Sequence, residues 1–154
     1  MSTKWIIISI VVILVLGAGY YTISPLFIHI RIDEALPQTA QPSTSSKVQT
    51  EVAVTTSVIG TTGHPASGTV KTIRTGDKTF LRYENFKTIN GPDLYIYLAT
   101  DLEAKDFVSL GTLRATEGNI NYEIPANVDV KKYRYALVWC KAFGILFNSA
   151  ELSR

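Results

Sequence analysis

The side chains best suited to chemistry in this sequence are one cysteine, Cys140, and one histidine, His64. Cys140 is the single cysteine among 154 residues, so the chain cannot form an internal disulfide. It closes an apolar run in which Ala136, Val138 and Cys140 alternate with their neighbours and share one face. A cysteine in this setting acts as a redox thiol or ligand, or it fills a core position as a small apolar side chain. The local pattern leaves both interpretations open.

His64 lies in a glycine-containing turn before a strand and is the second candidate, as a ligand in partnership with Cys140. A histidine in a loop is otherwise solvated or hydrogen-bonded to nearby backbone. The remaining ligands are too few for a metal, because His29 lies outside the predicted domain and Met1 is the only methionine. Blue-copper and tetrahedral zinc sites are therefore excluded. The cofactor alternatives that remain are none at all, or a non-covalent haem with Cys140 as one axial ligand.

Other classes of function find no support in the residues. Ser67 near His64 is the only hint of a nucleophile–base pair, and the glycines do not follow a nucleotide-binding spacing, so an enzyme is not predicted. The 15 basic and 13 acidic residues are interleaved and form no basic stripe. Nucleic acid is therefore not an expected partner.

The N-terminal region predicts a membrane anchor. Trp5 to Ile23 contain no charge and would extend roughly 28 Å as a helix, close to the thickness of a bilayer core. Lys4 precedes this stretch, which favours a cytoplasmic N-terminus, an extracytoplasmic domain and a single pass. The alternative is a cleavable signal peptide with the run from Ile6 to Leu16 as its apolar region. Both interpretations place the domain outside the cytosol.

The sequence divides into three parts. Residues 1–24 form the cytoplasmic stub and anchor, and residues 25–50 form a membrane-proximal segment and disordered linker rich in Pro, Ser, Thr and Gln. Residues 51–154 show a period of two with frequent turn signals, which predicts an all-β domain, a small antiparallel β-sandwich or barrel. Within it, Leu94, Ile96 and Leu98 are expected to face inward and the intervening tyrosines outward. Two short helical turns are expected at 100–103 and 128–132.

Several ordered blocks of the second half resemble the DM13 family of small, β-rich extracytoplasmic modules. The similarity covers roughly residues 64–152 and rests on blocks that include His-Pro-Ala-Ser-Gly at 64–68, Asn-Gly-Pro-Asp-Leu at 90–94 and Val-Trp-Cys-Lys-Ala-Phe at 138–143. The resemblance implies a role in electron transfer, with Cys140 as a redox thiol or a ligand to a prosthetic group such as haem. Asn148 stands where the resemblance leads us to expect glycine.

Two hypotheses follow from the sequence. The first is a membrane-tethered redox module that acts through Cys140, with the bilayer and a redox protein as partners. The second is a cofactor-free β-sandwich that binds at the cell surface, with Cys140 as packing and the tyrosines as a recognition face. A redox thiol should react with alkylating reagents in the folded protein, whereas a packing cysteine should react only on unfolding.

Overall fold

A computed structural model describes residues 3–23, 29–37, 51–52 and 55–152 of the chain. Helix α1 spans Thr3–Ile23. It contains no proline, and its apolar side chains lie exposed, as expected of a segment without a protein partner. The helix is long and apolar enough to cross a membrane, a property that signal sequences share. Residues 25–28 and 38–50 of the predicted membrane-proximal segment and linker lie outside the described residues.

The rest of the described chain folds into two β-sheets, which confirms the prediction of an all-β domain preceded by one helix. The strands are β1 Arg31–Asp33, β2 Glu51–Val52, β3 Thr56–Ser57, β4 Ile59–Gly60, β5 Ala66–Thr75, β6 Lys78–Thr88, β7 Leu94–Ala99, β8 Phe107–Thr112, β9 Glu117–Ile124, β10 Tyr135–Cys140 and β11 Ile145–Glu151. The first sheet has the order β1-β9-β6-β5-β2, with β3 also paired to β5. The second has the order β4-β11-β10-β7-β8.

The main core lies between the two sheets. Leu94, Ile96 and Leu98 of β7 enter it, as the alternation predicts, and so do Val138 and Cys140 of β10. Facing them from the first sheet are further buried apolar side chains, among them Val70, Leu81, Tyr83, Phe86, Ile120 and Tyr122. Burial of this apolar surface is the main force that holds the sheets together.

The opposite face of the second sheet carries a smaller apolar cluster. Tyr97 and Leu137 are buried there, with Tyr95 and Trp139 partly buried beside them. The Tyr97 ring stacks on Phe107 with centroids 4.1 Å apart. The predicted division of β7 into an aliphatic inner face and a tyrosine outer face is therefore confirmed, and the predicted alternation of β10 separates Val138 and Cys140 from Leu137 and Trp139.

Residues 29–37, which we call the strap, pack against the first sheet. β1 pairs in parallel with β9, in the register Ile32 with Gly118. Gly118 has φ +110°, and a Cβ at this position would overlap the carbonyl oxygen of Ile32. Close approach of the strap therefore requires glycine there. The sequence assigned this stretch to the region before the domain. The exact division of the chain into three parts stays a prediction.

The two predicted helical turns do not form a helix. In the first, the carboxylate of Asp101 accepts hydrogen bonds from the backbone N–H groups of Glu103 and Lys105, at 3.0 and 3.2 Å. The side chain that closes the turn is thus Asp101 rather than the expected Thr100. Residues 128–132 likewise form hydrogen-bonded turns. Capping residues favour helices and turns alike, and these loops are too short to propagate a helix.

Candidate functional site

Cys140 is the last residue of β10 and is wholly buried, with 0 % of its surface exposed. It lies in register with Leu94 of β7 on one side and Ile145 of β11 on the other. Its position at a strand end follows from the turn at 141–144, where the Gly144 N–H donates to the Cys140 carbonyl at 2.8 Å. Gly144 has φ +64°, a conformation that glycine adopts without strain.

The thiol is hydrogen-bonded to a short loop at residues 90–93. Cys140 Sγ donates to the Pro92 carbonyl oxygen at 3.0 Å, a geometry that requires the proton on sulfur. The Lys141 N–H donates to the Asp93 carbonyl at 3.0 Å and ties the same loop to the end of β10. The Lys141 ammonium itself lies 5.2 Å from the Tyr95 ring centre, over the aromatic outer face. Cys140 and Lys141 therefore direct their side chains to different surroundings.

His64 is fixed by its neighbours in the turn and by an aromatic contact. Its Nδ1 lies 3.0 Å from Thr61 Oγ1, and the Thr61 hydroxyl also reaches the carbonyls of Leu146 and Phe147 at 3.0 Å. The His64 ring packs on Phe147 with centroids 4.0 Å apart. These contacts hold the His64 ring against β11.

Phe147 connects the surroundings of the two candidate residues. A Cβ on Gly91 would lie 2.7 Å from Phe147 Cζ, so this ring packs directly against the loop that holds Cys140. His64 packs on the same ring. The structure thus brings His64 and Cys140 to one end of the sandwich but gives each its own partners. Their roles in function remain predictions.

The residues around Cys140 do not suit a haem. An axial ligand must present an open face to the iron, whereas Cys140 is completely covered and its sulfur faces a backbone carbonyl. Within the described ranges no group of three or more His, Cys, Asp or Glu side chains could hold a metal ion. The chemistry that the site offers is that of a shielded thiol.

Two buried polar groups near the core have no counterpart in the site predicted from the sequence. Asn148 is 1 % exposed, and its amide donates to Thr88 Oγ1 at 3.1 Å, which joins β11 to β6 across the two sheets. The signal in the sequence is the asparagine itself at a position where glycine was expected. The hydroxyl of Tyr83 is also buried, with no hydrogen-bond partner in the described part of the chain. Burial raises the pKa of Tyr83 well above its usual range.

Three comparisons with known proteins test the family resemblance of the residue blocks. Neither the curated proteins nor the solved structures gave a significant match. The family model described as electron transfer DM13 matches residues 58–152, which is more than half of the chain and includes His64, the loop at 90–93 and Cys140. The chain therefore belongs to the electron transfer DM13 family.

Proposed function

We propose that this protein is a membrane-tethered, extracytoplasmic electron-transfer module that acts through the thiol of Cys140. The observation that carries the proposal is the family match over residues 58–152 together with the position of Cys140. The thiol lies at the end of a strand and is hydrogen-bonded to the short loop at 90–93, and in this proposal opening of that loop exposes it.

In the proposed reaction the thiol exchanges with a disulfide of a partner protein. Loop opening exposes Sγ, the sulfur loses its proton to water, and the thiolate attacks one sulfur of the partner disulfide. The partner S–S bond breaks, a mixed disulfide forms, and the second partner sulfur leaves as a thiolate. A dithiol of a second, reduced partner then attacks Cys140 Sγ and frees the first partner as a dithiol, and the other thiol of that second partner releases Cys140 as its own disulfide closes. Two electrons thus pass from the second partner to the first, and Cys140 returns to the thiol state. A haem mechanism is not proposed, because Cys140 lacks an open face.

Support for the tether comes from α1, which has the length and composition of a membrane span. We propose that the helix is retained, with Lys4 on the cytoplasmic side and the β domain outside. Mass spectrometry of the chain extracted from cell membranes tests retention. A chain that begins after residue 16 would show signal cleavage and contradict the tether.

The thiol proposal is tested by alkylation of the full chain in detergent micelles. Cys140 is the only cysteine, so labelling reports this site alone. We expect labelling through local opening to be at least about 30-fold faster than labelling through global unfolding, since local openings cost less free energy than unfolding the core. The matched control is Val138→Cys in a Cys140→Ala background, because Val138 shares the same strand face and is also 0 % exposed.

A second candidate function is a cofactor-free binding module in which Cys140 is core packing. The complete burial of Cys140 and the aromatic outer face at Tyr95, Tyr97 and Trp139 favour it. If the Cys140 and Val138→Cys thiols label at the same rate, and only as the domain unfolds, the redox proposal is wrong and the binding module is supported. Formation of a mixed disulfide with glutathione disulfide in the folded state would support the redox proposal.

A further inference from the structure

We propose that the end of the sandwich that contains Cys140 rests against the headgroup layer of the bilayer. We call it the Cys140 end and define it by the loop at 90–93 (the Cys140 loop), the turn at 141–144, the His64–Pro65 turn and the first residues of the strap. The inference rests on the proposed membrane tether and adds an orientation to it.

The start of the strap lies at the Cys140 end. The Ile30 carbonyl accepts from the N–H groups of Thr116 and Glu117 at 2.8 and 3.0 Å, and the Thr88 N–H donates to the Thr116 carbonyl at 2.9 Å. The Thr88 hydroxyl in turn accepts a hydrogen bond from the Asn148 amide of the second sheet. His29 lines a cleft of about 280 Å³ together with side chains from the ends of β5 and β6, namely Pro65, Ala66, Ser67, Lys87, Thr88 and Ile89. The chain therefore enters the domain beside the Cys140 loop.

The length of chain between helix and domain limits how far this end can lie from the membrane. Six residue steps separate Ile23 from His29, and a fully extended chain covers at most about 22 Å over that distance. β5 has ten residues and is roughly 33 Å long, so the far end of the sandwich lies well beyond the reach of the connection. Entry point and tether length together place the Cys140 end nearest the bilayer.

The exposed side chains at this end match the chemistry of a membrane interface. Phe143 is 62 % exposed, Ile145 40 % and Ile30 44 %, all beside the turn that follows Cys140 or at the start of the strap. The Lys87 side chain is 69 % exposed next to them, and its amine lies 3.3 Å from Glu117, so the local charges largely cancel. Aromatic and aliphatic side chains with lysines are typical of the headgroup region. A neutral bilayer is accordingly the occupant we propose.

The test uses the full chain in phosphatidylcholine nanodiscs with a quencher attached to the lipid headgroups. Trp5→Phe and Trp139→Phe remove the native tryptophans, and Phe143→Trp places a reporter at the Cys140 end. The matched control is Phe107→Trp, since Phe107 is 44 % exposed and pairs with Ala99 at the other end of β7. We expect quenching to be at least twofold stronger at position 143. Ile145→Trp and Leu102→Trp form a second pair with the same expectation.

The outcomes separate this inference from the tether on which it rests. Equal quenching in both pairs, or stronger quenching at positions 107 and 102, would overturn the orientation while the anchor remains in the disc. Recovery of a chain that has lost residues 1–16 would overturn the tether and the orientation together. Stronger quenching at 143 and 145 supports the orientation whether Cys140 proves reactive or inert.

Discussion

The strap and the Cys140 loop are both short segments that pack onto the sandwich, but different forces hold them. The strap is held by polar contacts: Arg114 donates to both Glu34 carboxylate oxygens at 2.8 and 3.2 Å, and the Asn121 N–H donates to the same group at 2.7 Å. Arg82, only 5 % exposed, donates to the carbonyls of Glu34 and Ala35 at 3.1 Å. The Cys140 loop is held by packing against Phe147, by a weak thiol hydrogen bond and by the backbone hydrogen bond from the Lys141 N–H to the Asp93 carbonyl.

The difference shows how one small domain can contain a fixed and a movable segment. Several charge-assisted hydrogen bonds act together on the strap, and breaking one leaves buried charges without partners. The contacts named for the Cys140 loop are apolar packing and neutral hydrogen bonds, from the Cys140 thiol and the Lys141 N–H, which a local opening can break and re-form. The strap should therefore open only with the first sheet, whereas the loop at 90–93 should open by itself.

The largest effect should come from Gly118→Ala. The new Cβ would overlap the Ile32 carbonyl, and alanine disfavours the φ of +110° that this position requires. β1 would therefore have to separate from β9. We expect a loss of about 3 kcal/mol or more in the free energy of unfolding, measured by urea denaturation in detergent micelles. Amide exchange should show loss of protection in residues 30–35.

Gly111→Ala is the matched control for that substitution. Gly111 has a similar φ of +107°, but nothing lies within 4 Å of the position of its Cβ. It should cost only the backbone strain, about 1 kcal/mol. Equal losses for the two variants would mean that contact with the strap contributes nothing and would contradict our view of it as part of the domain.

At the Cys140 end, Thr88→Val should cost about 2 kcal/mol. The substitution leaves the buried Asn148 amide without its acceptor, and an unpaired buried donor is expensive. Because the bond joins the two sheets beside the loop, Cys140 alkylation should also accelerate. Adding Asn148→Leu should recover part of the loss. A double variant less stable than Thr88→Val alone would show that the amide has another role.

A smaller, pH-dependent effect is expected for Glu34→Gln. Burial works to raise the pKa of Glu34, but the Asn121 N–H and the Arg114 guanidinium outweigh it and hold the pKa below its ordinary value of 4.5. A carboxylate whose pKa is lower in the folded state than in the unfolded state stabilises the protein above pH 4.5. This stabilisation is lost as the pH falls through the pKa of the folded state. The variant should be less stable by about 1 kcal/mol at pH 7, and the difference should shrink as the pH falls below 4.5 and through the lowered pKa of the folded state. A difference that is constant with pH would contradict the ion pair.

The smallest effect is expected in the core, from Tyr83→Phe. Removing a buried hydroxyl that has no partner among the described residues should leave stability unchanged or raise it by up to about 1 kcal/mol. Tyr122→Phe is the control, because the Tyr122 hydroxyl accepts from the Arg114 N–H at 3.1 Å. That variant should lose about 1 kcal/mol in the same urea titration. Destabilisation by Tyr83→Phe would reveal a partner of its hydroxyl.

The sequence predicts the parts of this fold that follow from local alternation. The period of two correctly assigns Leu94 to the inner face of β7, and at 136–140 it correctly separates Cys140 from Trp139 without deciding which of them is buried. The strap has no such period, and its parallel pairing with β9 depends on contacts more than eighty residues away in sequence, such as Asn121 with Glu34. The hydrogen bond from Cys140 to Pro92 is also non-local, so the alternation could place Cys140 on a strand face but could not give its partner.

The short connection between α1 and the strap also bears on how the protein would meet a partner. Under the proposed tether the domain would stay within about 22 Å of its anchor, so it would diffuse in the plane of the membrane and would not search the surrounding solution. Confinement to a plane raises the local concentration of other membrane-bound molecules and leaves freely soluble ones at a disadvantage. Encounter would then depend on the surface density of the partner in the same bilayer, and dilution of the surrounding solution would have little effect.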